Sequence, residues 1–218
     1  MSDIEERLAR VRAVRTRLHE EGPTHVRPYA GDFERVALPP QDCTTLRDAL
    51  IAEQARVVIE VGLAYGSSAL AIGEALLHRE ATGISHVLID PYQESAYANV
   101  GWEALSAAGL AESSMLIREP SSIALARLAG EGFTADAAFV DGSHRFHEVF
   151  VDLYYMRRLV RPGGVVILDD AAWPSVAAAL RYYDSNLGWR REPLDGRLEA
   201  RRLPEESIEP AFTDFTPF

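Results

Sequence analysis

Three carboxylates stand at the ends of two short apolar runs: Asp141 follows Ala137 to Val140, and Asp169-Asp170 follow Val165 to Leu168. If these runs are neighbouring strands, the three acids converge on one edge of a sheet. Without a counter-charge they would repel one another and raise their own pKa values, so the arrangement calls for an oxygen-preferring cation such as Mg²⁺. The same acids also suit structural duty, with Asp169 and Asp170 capping a helix and Asp141 turning the chain before Gly142. Only the metal-binding use requires that they meet.

A second group lies earlier in the chain. In Glu60-Val-Gly62-Leu-Ala64-Tyr-Gly66-Ser67-Ser68 an apolar run passes through small residues into a helical pattern. Such a turn lets backbone approach a ligand closely and aims free N–H groups at an anionic part of it. On its own it is equally a tight strand-to-helix connection, so its surroundings decide. Asp90 ends the next apolar run, where a carboxylate can accept hydrogen bonds from both hydroxyls of a ribose; it also suits a turn before Pro91. The following run ends in Arg118-Glu-Pro-Ser121-Ser122, polar residues for the same edge, with Ser121 equally suited to capping a helix.

To place these groups together the chain must alternate strands and helices, and it does. Val57 to Val61, His86 to Ile89, Ser114 to Ile117, Ala137 to Val140 and Val165 to Leu168 read as strands. Between and after them, Ser67 to Leu77, Tyr97 to Ala108, Ser122 to Ala129, His144 to Leu159 and Pro174 to Leu187 read as helices. The alternation predicts an α/β fold, a doubly wound parallel sheet with helices on both faces. Trp189 to Leu194 and Arg197 to Leu203, joined at Asp195-Gly196, predict an antiparallel C-terminal hairpin with a tight turn.

The sequence divides into three parts. Apolar Ile4, Leu8, Val11, Val14 and Leu18 recur at helical spacing, and four prolines in 23–42 predict an irregular stretch, so residues 1–42 form an N-terminal extension. A helix capped by Thr44 or Thr45 and running to about Glu53 opens the main domain, 43–203, and an acidic, phenylalanine-bearing tail, 204–218, follows as a lid, a dimer contact or a frayed end. Tyr29, Phe33, Trp102 and Trp173 are candidate walls for a substrate.

Composition narrows the partners. The net charge of -11 repels phosphate backbones, which points away from nucleic acid and towards a small-molecule acceptor. One cysteine, Cys43, allows neither an internal disulfide nor a Cys-based zinc site and fits a reducing compartment. With an acidic N-terminus and no long apolar run, no membrane association is expected, and the cytoplasm is the expected location. A homodimer is a further expectation. All 22 basic residues are arginine, so no lysine can act as a base.

With these residues in view, residues 40 to 203 resemble class I S-adenosylmethionine-dependent methyltransferases, in particular the metal-dependent catechol and caffeoyl-CoA type and bacterial sugar and natural-product O-methyltransferases. The resemblance implies a Rossmann-like, seven-stranded sheet and O-methylation of a phenol, sugar or natural product. Glu60, Gly62, Gly66 and Ser68 are similar to the loop that holds the cofactor's methionine part, Asp90 to the ribose acid, and Ser121 to the loop beside adenine. Asp141 would serve cofactor and metal together, and Asp141, Asp169 and Asp170 match the family's metal positions. Arg161-Pro-Gly-Gly resembles the family's approach to its fifth strand, and the closing hairpin its reversed seventh strand. The chain departs at Ala64, where many members have glycine, and at Pro120, where an acid commonly reaches adenine.

The resemblance also implies a catalytic role for His144, which matches the general-base lysine of the catechol-type enzymes; His147 is the fallback. A helix N-terminus and an adjacent metal would both keep His144 neutral near pH 7. Two rivals stand beside this reading. A nicotinamide-dependent oxidoreductase would need Gly-x-Gly-x-x-Gly, but Gly62 is followed by Ala64 and Ser67. A non-catalytic module of the same fold is the other.

Overall fold

A computed structural model describes residues 2–23, 32–79, 83 and 85–218. Among these, seven strands form one sheet in the order β3-β2-β1-β4-β5-β7-β6. The strands are β1 (Val58–Val61), β2 (His86–Ile89), β3 (Ser114–Ile117), β4 (Ala135–Val140), β5 (Val160–Leu168), β6 (Arg190–Glu192) and β7 (Glu199–Arg202). The first five are parallel, and β7 runs antiparallel to both β5 and β6. The sheet order reverses between β1 and β4, so the loops after these strands flank the crevice in which such sheets bind ligands.

Burial on both faces explains the unbroken apolar runs. Ile59, Val61 and Val140 pack against α6 (Ser121–Gly130), α7 (Phe146–Leu159) and α8 (Pro174–Asn186). On the other face, Val58, Phe139 and Ile167 meet α3 (Pro40–Ala52) and α4 (Ser67–Leu77). The remaining α-helices among the described residues are α1 (Asp3–Glu21), a single turn α2 (Phe33–Val36) and α5 (Val100–Ala107). The N-terminal extension is fastened to the domain electrostatically as well as by packing: Glu74, fully buried on α4, is met by Arg12 at 2.7 Å and Arg15 at 2.8 Å.

Several boundaries differ from expectation for identifiable reasons. Helix α3 starts at Pro40, which supplies a preset φ at the first helical position where its missing N–H costs nothing, so the proline-bearing stretch is less irregular than predicted. Its remainder, including Tyr29, lies partly outside the described residues. Helix α5 starts at Val100 instead of Tyr97, because the preceding turn is drawn inward by buried Gln93, whose Nε2 donates to the Ala64 carbonyl at 2.6 Å. The C-terminal hairpin is antiparallel, but its last register pair is Glu192 with Ala200, so residues 193–198 form a wider connection than a two-residue turn. Contacts to α3 override the local Asp-Gly preference: the Arg197 N–H donates to Asp42 at 3.1 Å.

The tail packs at the far end of α7 and α8. Arg157 donates to the Ile208 carbonyl at 2.7 Å, and the Tyr182 ring meets Phe218 at 5.4 Å. These contacts lie at the C-terminal ends of the two helices, away from the carboxyl edge of the sheet, so the tail is not a lid over that edge. No helix among the described residues is long and apolar enough to cross a membrane.

Candidate active site

The Gly62 to Gly66 loop is held by the acids that the sequence assigned to ligand binding. Asp90, only 4% exposed, accepts from the backbone N–H groups of Ala64 at 2.9 Å and Leu63 at 3.2 Å. It also accepts from the Tyr92 N–H at 2.8 Å and Gln93 Nε2 at 3.0 Å. Glu60 is fully buried, accepts a short hydrogen bond from the Ser68 hydroxyl, and faces His86 Nε2 at 2.8 Å. These carboxylates therefore shape the loop before any ligand arrives. Gln93 and His86 were not found from the sequence, because nothing local to either residue signals a partner in another element.

The glycines are needed for close approach. Gly62 has φ +96°, and a Cβ there would fall 2.1 Å from the Asp141 carbonyl. Gly66, at φ +89°, abuts the backbone of Gly101 on α5. Loop residues Gly62 to Ser68 line a cleft together with Asp141 and with Val36 to Leu38, a segment that sequence reasoning did not place there. That segment is anchored through Phe33, whose ring meets Tyr65 at 5.4 Å, and Tyr65 in turn meets Tyr97 at 5.1 Å. At the start of α4, the Ser67 hydroxyl lines the cleft, is buried and has no hydrogen-bond partner. An orphaned buried hydroxyl beside helix N–H groups suits a polar ligand.

Ser121 is the first residue of α6 and not its cap, which is Pro120. Its hydroxyl faces Asp152, a residue 2% exposed on α7, and burial pushes the Asp152 carboxyl up to about 7, opposed by Ser121.

Across the crevice, the acids at the ends of β4 and β5 form a different kind of cluster. Ligand atoms of Asp141, His144 and Asp170 all lie within 4.8 Å of one another. His144 Nε2 stands 3.1 Å from Asp141 Oδ1 and 3.3 Å from Asp170 Oδ2. Asp169 is turned away. Its Oδ2 accepts a short hydrogen bond from Arg197 Nη2, and its Oδ1 accepts from the Asp170 N–H at 2.8 Å. Of the acid triad expected from the sequence, Asp141 and Asp170 meet, Asp169 does not join them, and His144 takes the third place. The backbone explains the split: Asp170 has φ +51°, so two consecutive carboxylates point in different directions.

His144 also differs from expectation in its setting. Helix α7 begins at Phe146, and His144 lies before it at φ +57°. Its hydrogen bond to Asp141 raises its pKa, ahead of the lowering by burial. The two acids thus favour the protonated form of the side chain. Burial pushes Asp141 up to about 7, opposed by His144 and reinforced by Asp169 and Asp170. Burial also raises Asp169, opposed chiefly by Arg197. Trp173, 52% exposed, stands 5.1 Å from the His144 ring, so among the described aromatics named as substrate walls it is the one beside the acids. His147 points elsewhere, with Nε2 3.9 Å from Glu148.

Residues 59–171, more than half of the chain, match the family model described as a methyltransferase domain. No curated protein matches by sequence. Among solved structures, the chain is similar to an O-methyltransferase from Bacillus cereus in complex with SAH (17% identity, 90% of each chain covered, TM-score 0.63). It is also similar to the O-methyltransferase TomG from Streptomyces achromogenes, involved in tomaymycin synthesis and solved with SAM (17% identity, 93% of this chain and 91% of that one, TM-score 0.59). These likenesses establish the architecture as the Rossmann-like methyltransferase fold.

Proposed function

The chain belongs to the methyltransferase-domain family, and from that premise we propose that it transfers the methyl group of S-adenosylmethionine to an oxygen of a small-molecule acceptor, assisted by a divalent cation. The observation that carries the reading is the meeting of Asp141, His144 and Asp170 next to the glycine loop, with the Asp141 carbonyl directly against Gly62. A methyl donor held by that loop and an acceptor oxygen held by the acids would lie side by side. Both relatives named above are O-methyltransferases by their descriptions, which supports the same reaction class here.

The residues fit both groups. The cleft over Gly62 to Ser68, with the unpartnered Ser67 hydroxyl, suits the amino-acid part of the cofactor, and Ser121, at the start of α6 in the segment that follows β3, is the candidate for the adenine side. In this reading Asp90, Glu60 and Ser68 act mainly by holding the loop in its binding shape. Asp141 and Asp170 supply the oxygens that Mg²⁺ prefers. Such a cation, when bound, stabilises the alkoxide or phenolate form of the acceptor.

His144 is the proton acceptor. Its Nε2 lies within hydrogen-bond distance of both acids and therefore next to any oxygen held between them. A positive charge between Asp141 and Asp170 would displace the imidazolium proton and leave Nε2 able to take the hydroxyl proton. Trp173 offers a flat apolar wall for an acceptor carrying a ring.

The test is transfer of labelled methyl from S-adenosylmethionine to a panel of catechols and sugars, with Mg²⁺ and with chelator. Label should appear on oxygen and fall with chelator; transfer untouched by chelator would remove the cation from the reaction. His144→Ala should lower turnover by about 100-fold or more while Mn²⁺ affinity stays within about threefold. A collapse of Mn²⁺ affinity in that variant would make His144 a ligand and not the base.

A further inference from the structure

We propose that Arg197 is a positioning residue that decides which carboxylates can hold the cation: it binds Asp169, withdraws that acid from the cluster, and leaves Asp141 and Asp170 as the oxygen donors. The inference rests on the cation reading given above.

The geometry follows from the hairpin. Glu199 on β7 pairs with Leu168 on β5, so the 193–198 connection closes over the carboxyl edge just where Asp169 and Asp170 emerge. Arg197 Nη2 donates to Asp169 Oδ2, while Asp169 Oδ1 accepts from the Asp170 N–H at 2.8 Å. Both oxygens of Asp169 are therefore engaged, and the residue is only 2% exposed.

The guanidinium is itself fixed from behind. The Arg197 backbone N–H donates to Asp42 Oδ1 at 3.1 Å, and the guanidinium Nε lies 3.6 Å from Asp42 Oδ2. Gly196 makes this approach possible, since a Cβ there would fall 2.2 Å from Asp42 Oδ1. A planar, permanently charged fork held at both ends is well suited to keep one carboxylate in one orientation. Without it, a third negative group would be released beside Asp141 and Asp170, and divalent-cation affinity rises with the number of charged oxygen ligands.

The experiment is a Mn²⁺ titration, read by the loss of the free-ion paramagnetic resonance signal, on the full chain and on Asp169→Asn, Arg197→Met and the double variant, each checked for folding by thermal unfolding. Asp169→Asn should bind Mn²⁺ within about threefold of the parent, because Asp169 is not a ligand. Arg197→Met should bind at least about tenfold more tightly, and the double variant should return to the parent's affinity. A tenfold loss in Asp169→Asn, or unchanged or weaker binding in a folded Arg197→Met, would overturn the proposal while leaving the cation reading intact. If Arg197→Met does not fold, the Asp169→Asn result decides alone. Absence of Mn²⁺ binding in the parent chain would remove the cation reading and the proposal with it, whereas S-adenosylmethionine binding would be unaffected.

Discussion

Asp90 and Glu60 on one side of the crevice, and Asp141 and Asp170 on the other, are all acids at a strand or its end, yet they live in opposite surroundings. Asp90 accepts from three backbone N–H groups and one side-chain amide, and Glu60 from Ser68 with His86 alongside. Asp141 and Asp170 face each other with one imidazole between them, and Asp141 is pushed up to about 7. The first pair is enclosed and tied to the loop by hydrogen bonds, so it builds shape. The second keeps an unbalanced charge at the surface of the crevice, where a cation or a proton can be taken up. Carboxylates held close together in a cleft raise one another's pKa values, and groups perturbed in this way cluster at working sites.

The largest expected effect comes from breaking a close contact between the two sides. Gly62→Ala places a Cβ on the Asp141 carbonyl at a positive φ, and should cost about 3 kcal/mol or more in denaturant unfolding, with loss of both ligands. Retention of full stability would mean that the loop can move away from β4 freely. Asp90→Ala acts on one side alone. It strips an acceptor from four donors, which should cost about 2 to 3 kcal/mol and abolish S-adenosylmethionine binding. Mn²⁺ affinity should stay within about threefold; a parallel loss would show that the two sides are one unit.

Sequence patterns made the frame legible, and with it the strand ends at which the candidate site residues stand. Helix α4 and strands β2 and β3 fall on their expected bounds, because apolar runs bounded by glycine and acids leave little choice. What the sequence could not show was orientation. Asp169 and Asp170 are indistinguishable as neighbours in the chain, and their split depends on a positive φ at Asp170 and on Arg197, distant in sequence from Asp169. The wide hairpin departs from its local Asp-Gly pattern for the same reason, since its shape answers to Asp42 on α3. His144 was found by matching, while its setting between two acids needed the fold.

Smaller effects sharpen the contrast. Asp170→Asn should weaken Mn²⁺ binding by at least about tenfold and leave metal-free stability unchanged or slightly higher, since a like charge is removed. In the parent chain, Mn²⁺ affinity should rise between pH 6 and pH 8. Asp141 titrates near 7 and His144 is raised, so protons compete with the cation below that range. A flat profile would exclude this cluster as the place where the cation binds.

The smallest effect tests a carboxyl that serves neither side directly. Burial raises Asp152 in the folded state to about 7, so the fold holds its proton more tightly than the unfolded chain. Its contribution therefore becomes unfavourable as pH rises from about 4 to about 7 and stays so above that. Asp152→Asn should raise the melting temperature by roughly 2 to 6 °C at pH 8, for about 1 to 2 kcal/mol, and by less at pH 5. Equal gains at both pH values would assign the effect to packing.

The most direct test of the central claim is isothermal titration calorimetry of the full chain with S-adenosylmethionine and, separately, with NAD. One molecule of S-adenosylmethionine should bind per chain, with no heat from NAD. Binding of NAD, or of neither ligand, would contradict it.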